Sequence, residues 1–447
     1  MKTKIIIITL ILVFLVTTGF SCRYTPGDVA EQLKPVKLTW WRVWDTSDNF
    51  SSILSNYKVG HPHISIAYKK LRYEEYEQVL LEAWAEDQGP DIFSIPVTWL
   101  RKYQSKIAPM PESTRVPELR VSGSSWKPTE EIITPITPGP TPNDLKTKWV
   151  PTVYEDVIIE NEIWGLPLGI DTLVLFYNQD LLDKAKIAFP PKTWTEFKDQ
   201  VKKLTLIDEQ SNIVQAGAPL GTAANVTRNT DILSLLMLQN GVEMPNFSSP
   251  SKFDSSYFPG QEALRFYLSF ADPAKEVYTW NEEMPNSLDA FIAGKVAFFF
   301  GYSYHLPIVQ ARAPKLNFQI TPVPQITSGM NDINHANYWI EVVAKKSPHQ
   351  NEAWNFVQFA SSQGQVLSYL QAAKKPTALR ALIAEQEKDY DIQAFVAGVL
   401  TTKNWYHGKD FNRVEEIFKE MITNVHQGSA TIPKAIDFAA KQVGVTY

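Results

Sequence analysis

The residues best suited to chemistry in this chain are aromatic rings with polar neighbours. Trp41, Trp44, Trp99, Trp280, Tyr302, Tyr304, Trp339, Trp405 and Tyr406 fall near the ends of expected strands or in the loops after them. A pyranose has an apolar C–H face, and burying ~50–100 Å² of it on an indole is worth roughly 1–2.5 kcal/mol at ~25 cal/mol per Å². Its hydroxyls then need partners, because an unpaired buried hydroxyl costs about 1–3 kcal/mol. Asp171, Asp45, Asn281, Asn404 and Arg42 can supply them. Any one of these rings, taken alone, more often fills a core than faces a ligand.

The templates of covalent and phosphoryl chemistry are missing from the sequence, which has no GxSxG, HExxH, GxxxxGK or GxGxxG. Gly217-Ala-Pro-Leu-Gly221 has two glycines and no following Lys, so it reads as a turn. Adjacent acids occur at Glu74/Glu75, Glu130/Glu131 and Glu282/Glu283. A glycosidase instead needs two carboxylates facing each other across ~5–9 Å. Two distant acids meeting in a cleft would still make a secreted carbohydrate-active enzyme, and that alternative stays open. His61 and His63 flank a proline, cannot share a helical face and have no third ligand nearby. They read as a solvated turn, and neither a metal nor a cofactor is expected.

The N-terminus points to export. Lys2 and Lys4 precede an apolar run from Ile5 to Val16, then Thr17-Thr18-Gly19-Phe20-Ser21-Cys22. This is the pattern of a signal peptide over residues 1–21. The run falls short of the ~20 residues that span a bilayer. Cys22 is the only cysteine, so no internal disulfide is expected. Its place directly after the cleavage site is that of a lipid-attachment cysteine, with Gly19 where such a motif usually carries Leu. Residues 22–35 read as a polar tether. Without Lys2 and Lys4 the chain keeps 41 basic against 48 acidic side chains, a balance that argues against nucleic acid as a partner.

The elements that must position the rings are legible in outline. Val36–Trp41 alternates as a first strand, Phe50–Tyr57 suits a helix, and Ile64–Tyr68 reads as a second strand. Tyr76, Val79, Leu80, Ala83 and Trp84 make one helical stripe within Tyr73–Ala85. Ile92–Ile95 follows Gly89-Pro90-Asp91 as a third strand. Strand, helix, strand in succession implies parallel pairing, and Trp99 then falls beyond a strand's carboxyl end, where open α/β sheets hold ligands. Residues 122–148, with prolines, Ser, Thr and Gly, read as an irregular insertion. Further helices are expected over Trp194–Leu204, Asn229–Asn240, Gly260–Phe270, Asn351–Leu370, Val414–Asn424 and Ile432–Val443. Strands are expected over Asn317–Pro324 and Tyr338–Ala344, and Ser287–Phe300 reads as a helix feeding a buried strand.

The most telling stretch is Ile163–Leu182, IWGLPLGIDTLVLFYNQDLL. Pro167 fixes a turn, and Thr172–Tyr177 is apolar on both faces, as in a fully buried strand. Asn178 or Asp180 caps the following helix. Asp171 is then a single carboxylate between a turn and a buried strand, either a turn former or a polar group set to meet a ligand.

GLP-x3-DT-x-x-L-x-YN-x-D-L, followed by Pro190-Pro191-Lys192-Thr193-Trp194-Thr195-Glu196-Phe197, resembles the bacterial extracellular solute-binding proteins of family 1. These are the sugar-binding lipoproteins of ABC importers, related to maltose-binding protein. Ala290-Phe291-Ile292-Ala293-Gly294-Lys295 and Lys375-Pro376-Thr377 are similar to further family segments, the latter without its glycine. The family usually has glycines near Tyr338 and Trp339, where this chain has rings. The resemblance implies an α/β, two-lobed, periplasmic-binding-protein-like fold, each lobe a mostly parallel sheet flanked by helices. Residues 36–166 with 325–362 would form one lobe, with 112–150 the Pro-rich insertion, and 167–324 with 363–447 the other. It implies a monomer that closes by hinge motion on a carbohydrate or similar polar solute without altering it. The solute would pass to the membrane subunits of an ABC permease, with the protein outside the cytoplasm and lipid-anchored to the membrane at Cys22. Tyr302 and Trp405 match positions where the family's second lobe supplies aromatics. The expected ligand-binding set is Trp41, Trp44, Trp99, Asp171, Trp280, Tyr302, Trp339 and Trp405. A sensor or surface lipoprotein that kept the fold is a further alternative.

Overall fold

The computed structural model describes residues 33–447 except 125, 328 and 330. The expected signal peptide, Cys22 and most of the tether lie outside the described residues. Val36–Arg42 (β1), Ser51–Gly60 (α1), Ile64–Lys70 (β2), Tyr73–Ala85 (α2) and Ile92–Pro96 (β3) appear in the expected order. Then come Val174–Asn178 (β4), Trp194–Leu204 (α3), Asn229–Gln239 (α4), Phe298–Gly301 (β5) and Phe318–Pro322 (β6). The chain returns through Asn334–Asn337 (β7) and Trp339–Ala344 (β8). It ends with the helices Gln350–Ala360 (α5), Gln363–Ala373 (α6), Phe411–His426 (α7) and Ile432–Gly444 (α8).

Local chemistry explains the boundaries. The Thr193 hydroxyl accepts from the Glu196 amide at 3.2 Å, and the Glu196 carboxylate accepts from the Thr193 amide at 3.3 Å. That reciprocal cap starts α3, whose Trp194, Phe197, Val201 and Leu204 form one buried stripe. The Asn178 side chain accepts from the Leu181 amide and starts the next helix. The single helix expected over 351–370 is two, because Ser362 has extended backbone angles between α5 and α6.

Two hydrophobic cores result. In the first sheet β1 lies between β2 and β3, parallel to both, and β8 runs antiparallel to β3. Leu166–Pro167 pairs on the outer side of β8. In the second lobe β4 lies between β5 and β6 and is antiparallel to both, with Phe176 opposite Phe299 and Ile320. Parallel neighbours there are single bridges, Ala216 to Val296 and Thr193 to Gln325. The mostly parallel sheet expected of this lobe is therefore an antiparallel one. Apolar residues on both faces bury a strand equally well in either direction, so composition does not encode its sense.

The lobe assignment also shifts. Leu168 and Ile170 belong to the first core and Leu173 and Val174 to the second, so the chain crosses at Asp171–Thr172. It crosses back between Val323 and Ala336. Val366, Tyr369, Leu370, Leu379 and Leu382, expected in the second lobe, pack in the first core. Residues 392–396 and 405–443 belong to the second. Asp171–Thr172, β7 and Thr402–Lys403 pair with one another as a small sheet where the chain crosses.

The 112–150 stretch is not irregular. Ser113–Arg115 pairs with Ile136–Pro138, Glu118–Ser124 pairs with Lys127–Ile133, and Pro142–Lys148 is a helix. Thr141 caps that helix in a reciprocal bond with Asp144, with Pro142 in its first turn. Pro128 and Pro138 lie in paired strands and Pro142 opens the helix. Side chains of α5 fasten the insertion: Asn355 donates to Thr114 Oγ1 at 3.0 Å while accepting from Tyr57 at 2.8 Å. Replacing Asn355 by Ala strands both buried hydroxyls. The expected loss is about 1–3 kcal/mol of unfolding free energy, read from urea denaturation. An unshifted midpoint would remove Asn355 as the fastening.

Candidate functional site: the cleft between two cores

A cavity of about 290 Å³ lies where the two cores face each other. Strand direction explains which side chains reach it. Because β1 and β3 are parallel, their carboxyl ends share one edge, so Trp44 after β1 and Trp99 after β3 arrive together. β8 is antiparallel, so its first residue, Trp339, sits at the same edge, opposite Pro96. Tyr73, at the start of α2, completes this wall. Across the cleft stand Tyr304 after β5, Arg228 and Asp231 at the head of α4, Trp405, and Glu415 on α7. Asp171 and His335 come from the crossing strands.

The rings form a continuous aromatic surface. Trp44 stacks on Tyr73 at 5.3 Å and 22°, and on Tyr304 of the other lobe at 5.8 Å and 9°. Trp339 meets Trp44 edge-on at 6.3 Å and Trp99 at 6.4 Å. Trp44 is 44% exposed, whereas Trp99 and Trp405 are nearly buried.

Of the residues expected from the sequence, Trp44, Trp99, Trp339, Trp405 and Asp171 line this cavity. Trp41, Trp280 and Tyr302 do not line it. Along β1, alternation turns Leu38, Trp40 and Arg42 to the buried face. Trp41 therefore points the other way, with Lys69 Nζ 4.2 Å from its ring centre. Trp280 is fully buried in the second core, where its indole N–H donates to Asn225 at 2.9 Å. Tyr302 is also fully buried and stands behind Tyr304, stacked on it at 5.8 Å.

The proposed hydroxyl suppliers divide in the same way. Arg42 is bonded to Glu341 and, at 3.0 Å, to Asp45. Asp45 also binds Lys375 at 3.0 Å and accepts from Tyr369 at 3.1 Å, so it is spent within the first lobe. Asn281 donates to Tyr278 outside the cleft. Asn404 lines the cavity, and its Nδ2 has no partner among the described residues, like Trp405 Nε1.

Asp171 ties the crossing strand to the second lobe. Its carboxylate accepts from the Ser303 amide at 3.0 and 3.1 Å, from the Ser303 hydroxyl at 2.6 Å and from the Thr172 amide at 2.9 Å. Burial nevertheless pushes its pKa up to about 7, against the lowering effect of those donors.

Sequence reasoning missed the polar group opposite. Asp231 Oδ2 accepts from Arg228 Nη2 at 2.5 Å, from Arg228 Nε at 2.7 Å and from the Tyr302 hydroxyl at 2.7 Å. Burial works against both charges. The Asp231 carboxylate nevertheless holds the Arg228 pKa well above its usual value, and Arg228 holds Asp231 below the carboxylate range. Burial keeps His335 neutral at ordinary pH. The one signal available was an acid three residues after an Arg at the start of an otherwise apolar helix, Asn229–Gln239. Nothing in the sequence joins that pair to His335.

Residues 44–366 match the family described as bacterial extracellular solute-binding protein. A binding protein of Brucella abortus is 21% identical over 69% of this chain and 74% of its own. The maltodextrin-binding protein MdxE of Bacillus subtilis is 25% identical over 53% of this chain and 55% of its own. Among solved structures, a cyclo/maltodextrin-binding protein complexed with maltotetraose superposes with a TM-score of 0.70 at 15% identity, covering 92% of this chain and 97% of that one, a likeness of fold. Two cores, a cleft between them and a family match over most of the chain agree, and the protein is a member of the bacterial extracellular solute-binding proteins.

Proposed function

We propose that the protein captures a carbohydrate, in the size range of an oligosaccharide, between its lobes and delivers it unaltered to an ABC permease. The observation that carries this reading is the cleft wall: Trp44, Trp99, Trp339, Trp405 and Tyr304 offer apolar faces beside unpartnered polar atoms of Asn404 and Trp405. That mixture suits a ring with one C–H face and a rim of hydroxyls. The maltodextrin for which the Bacillus subtilis relative is named and the maltotetraose bound in the similar structure support the same class. Among the described residues no helix is long and apolar enough to cross a membrane. We assign attachment to the outer face of the membrane to lipid at Cys22, and take the chain to act as a monomer that closes about the crossing strands.

Calorimetric titration with an oligosaccharide panel tests the ligand class, with small-angle scattering on the same samples. A bound sugar should reduce the radius of gyration. Trp44→Ala should weaken that binding by about 1 kcal/mol, the sugar's stack less the Tyr304 contact it displaces, with a smaller loss of stability than a core ring would show, because Trp44 is 44% exposed. Trp280→Ala, in the core, should instead cost about 3–5 kcal/mol of stability. No binding by any member at millimolar concentration would reject a carbohydrate ligand.

Asp171 gives the binding a pH dependence. The ionised carboxylate accepts from a hydroxyl more strongly than the protonated carboxyl does, and burial pushes the pKa of the unliganded group up to about 7. A bound hydroxyl donor favours the ionised form, so affinity is complete above about 7 and falls as the pH drops below it. Titrations from pH 5.5 to 8 should show this slope in the wild type and a flat profile in Asp171→Asn. A flat wild-type profile removes Asp171 from that role.

The anchor has its own readout. Mass spectrometry of the native protein should find a mature chain beginning at a lipid-modified Cys22. An uncleaved or unmodified N-terminus would reject the anchor.

A further inference from the structure

Proton placement around Asp231 and His335 is fixed by their partners. A tyrosine oxygen 2.7 Å from an ionised carboxylate must have its proton between them, so Tyr302 donates to Asp231 Oδ2. The Tyr302 oxygen can then only accept from His335 Nδ1, 2.9 Å away. His335 is neutral and carries its proton on Nδ1, which leaves Nε2 with a bare lone pair.

Asp231 Oδ2 receives Arg228 and Tyr302, whereas Oδ1 has no partner among the described residues, and neither has His335 Nε2. The two atoms lie 4.0 Å apart. Asp231 is fully buried and His335 is 4% exposed, yet both line the ligand cavity. They are two acceptors facing each other with no hydrogen to share. A group that satisfies both must donate twice. A sugar hydroxyl has one hydrogen and can serve only one of them, but a primary ammonium has three.

The charges around the cavity accept such a group. Arg42 and Lys375 are bound to Asp45, and Arg42 also to Glu341, while Arg228 is matched by Asp231. Asp171 and Glu415 remain as carboxyls with no cation bonded to them among the described residues. Burial raises both of their pKa values, against the lowering effect of Lys375 on Asp171 and of Arg228 and Lys419 on Glu415. A further cation entering the cavity would favour the ionised form of both.

We propose, resting on the carbohydrate reading above, that Asp231 Oδ1 and His335 Nε2 form a subsite for the primary ammonium of an amino-substituted sugar. The subsite explains why a buried Asp–Tyr–His chain stands behind the aromatic wall. Tyr302 is its positioning residue, because its hydroxyl holds His335 in the accepting tautomer.

The test titrates the full chain calorimetrically with matched pairs: glucosamine against glucose, galactosamine against galactose, and β-1,4-linked glucosamine di- and trisaccharides against cellobiose and cellotriose. The expected result is that, in at least one pair, the amino member binds about tenfold or more tightly than its neutral partner. Asp231→Asn should abolish that preference, bringing the amino member and its neutral partner to within about threefold of each other in the variant. Tyr302→Phe keeps charge and shape but releases the His335 proton to move to Nε2, and should abolish the preference too. It carries the test if Asp231→Asn fails to fold in a thermal melt. Equal affinity within every pair means that a water spans the two acceptors; that overturns the subsite and leaves the carbohydrate reading standing. Binding by no member overturns the carbohydrate reading and the subsite with it.

Discussion

The structure depends on a backbone that must pass between two cores without leaving buried amides unpaired. An unpaired buried peptide group costs as much as a lost hydrogen bond, so each crossing needs a partner. Asp171–Thr172, β7 and Thr402–Lys403 supply one another's partners, with Asp171 opposite Asn337 and His335 opposite Lys403. The three segments form one small sheet with β7 in the middle, antiparallel to Asp171–Thr172 and parallel to Thr402–Lys403. The same sheet places Asp171 and His335 at the floor of the cleft, so the joint and the ligand floor are built from the same residues.

Behind the first wall a buried ionic group sets the edge that carries the rings. Glu341 on β8 accepts from the Trp40 indole at 2.6 Å and from the Ser94 hydroxyl at 2.7 and 2.8 Å, besides its bond to Arg42. It therefore ties β1, β3 and β8 together just inside the edge where Trp44, Trp99 and Trp339 emerge. Such a group adds little net stability over a well-packed apolar one, and breaking it by removing one member is costly. Its service is to register: it fixes which residues of three strands are level, and with them which rings share a wall.

This division explains what the sequence could tell. Helix stripes such as Trp194, Phe197, Val201 and Leu204, and buried runs such as the one expected over Thr172–Tyr177, declare themselves through period and composition; the helix lies where expected, and the strand runs over Val174–Asn178, with Thr172 paired instead in the small crossing sheet. Direction and partner do not declare themselves. β4 has the same apolar residues whether its neighbours are parallel or antiparallel, and the prolines of 112–150 fit a coil as well as capped helices and edge strands. Among the rings, Trp44 and Trp41 differ only in lying after a strand or within it, so alternation and strand end decided which reached the cleft. Trp280 and Tyr302 sit at similar loop positions in the sequence but fold beneath the surface. Asp231 and His335 are 104 residues apart, and the packing of α4 against β7 brings them together.

The aromatic wall cannot by itself determine what the cleft selects. Trp44 already stacks between Tyr73 and Tyr304, and a ring–ring contact is worth about 0.5–1.5 kcal/mol beyond its buried area. A sugar entering between the lobes displaces at least the Tyr304 contact before it gains its own stack of roughly 1–2.5 kcal/mol. The difference is about one kcal/mol, less than tenfold in affinity, and nearly the same for any flat C–H face. Buried polar atoms weigh more: each one left unpaired by the wrong ligand costs about 1–3 kcal/mol. Arg42 Nε, Asn404 Nδ2, Trp405 Nε1, His335 Nε2 and Asp231 Oδ1 are the unpartnered atoms of residues on this cavity among the described residues. The first three are donors and, on the proton placement proposed above, the last two are acceptors. On that reading the rings would hold a ligand of the right shape in the closed cleft, and these five atoms, satisfied only by groups of the right donor and acceptor pattern, would distinguish one such ligand from another.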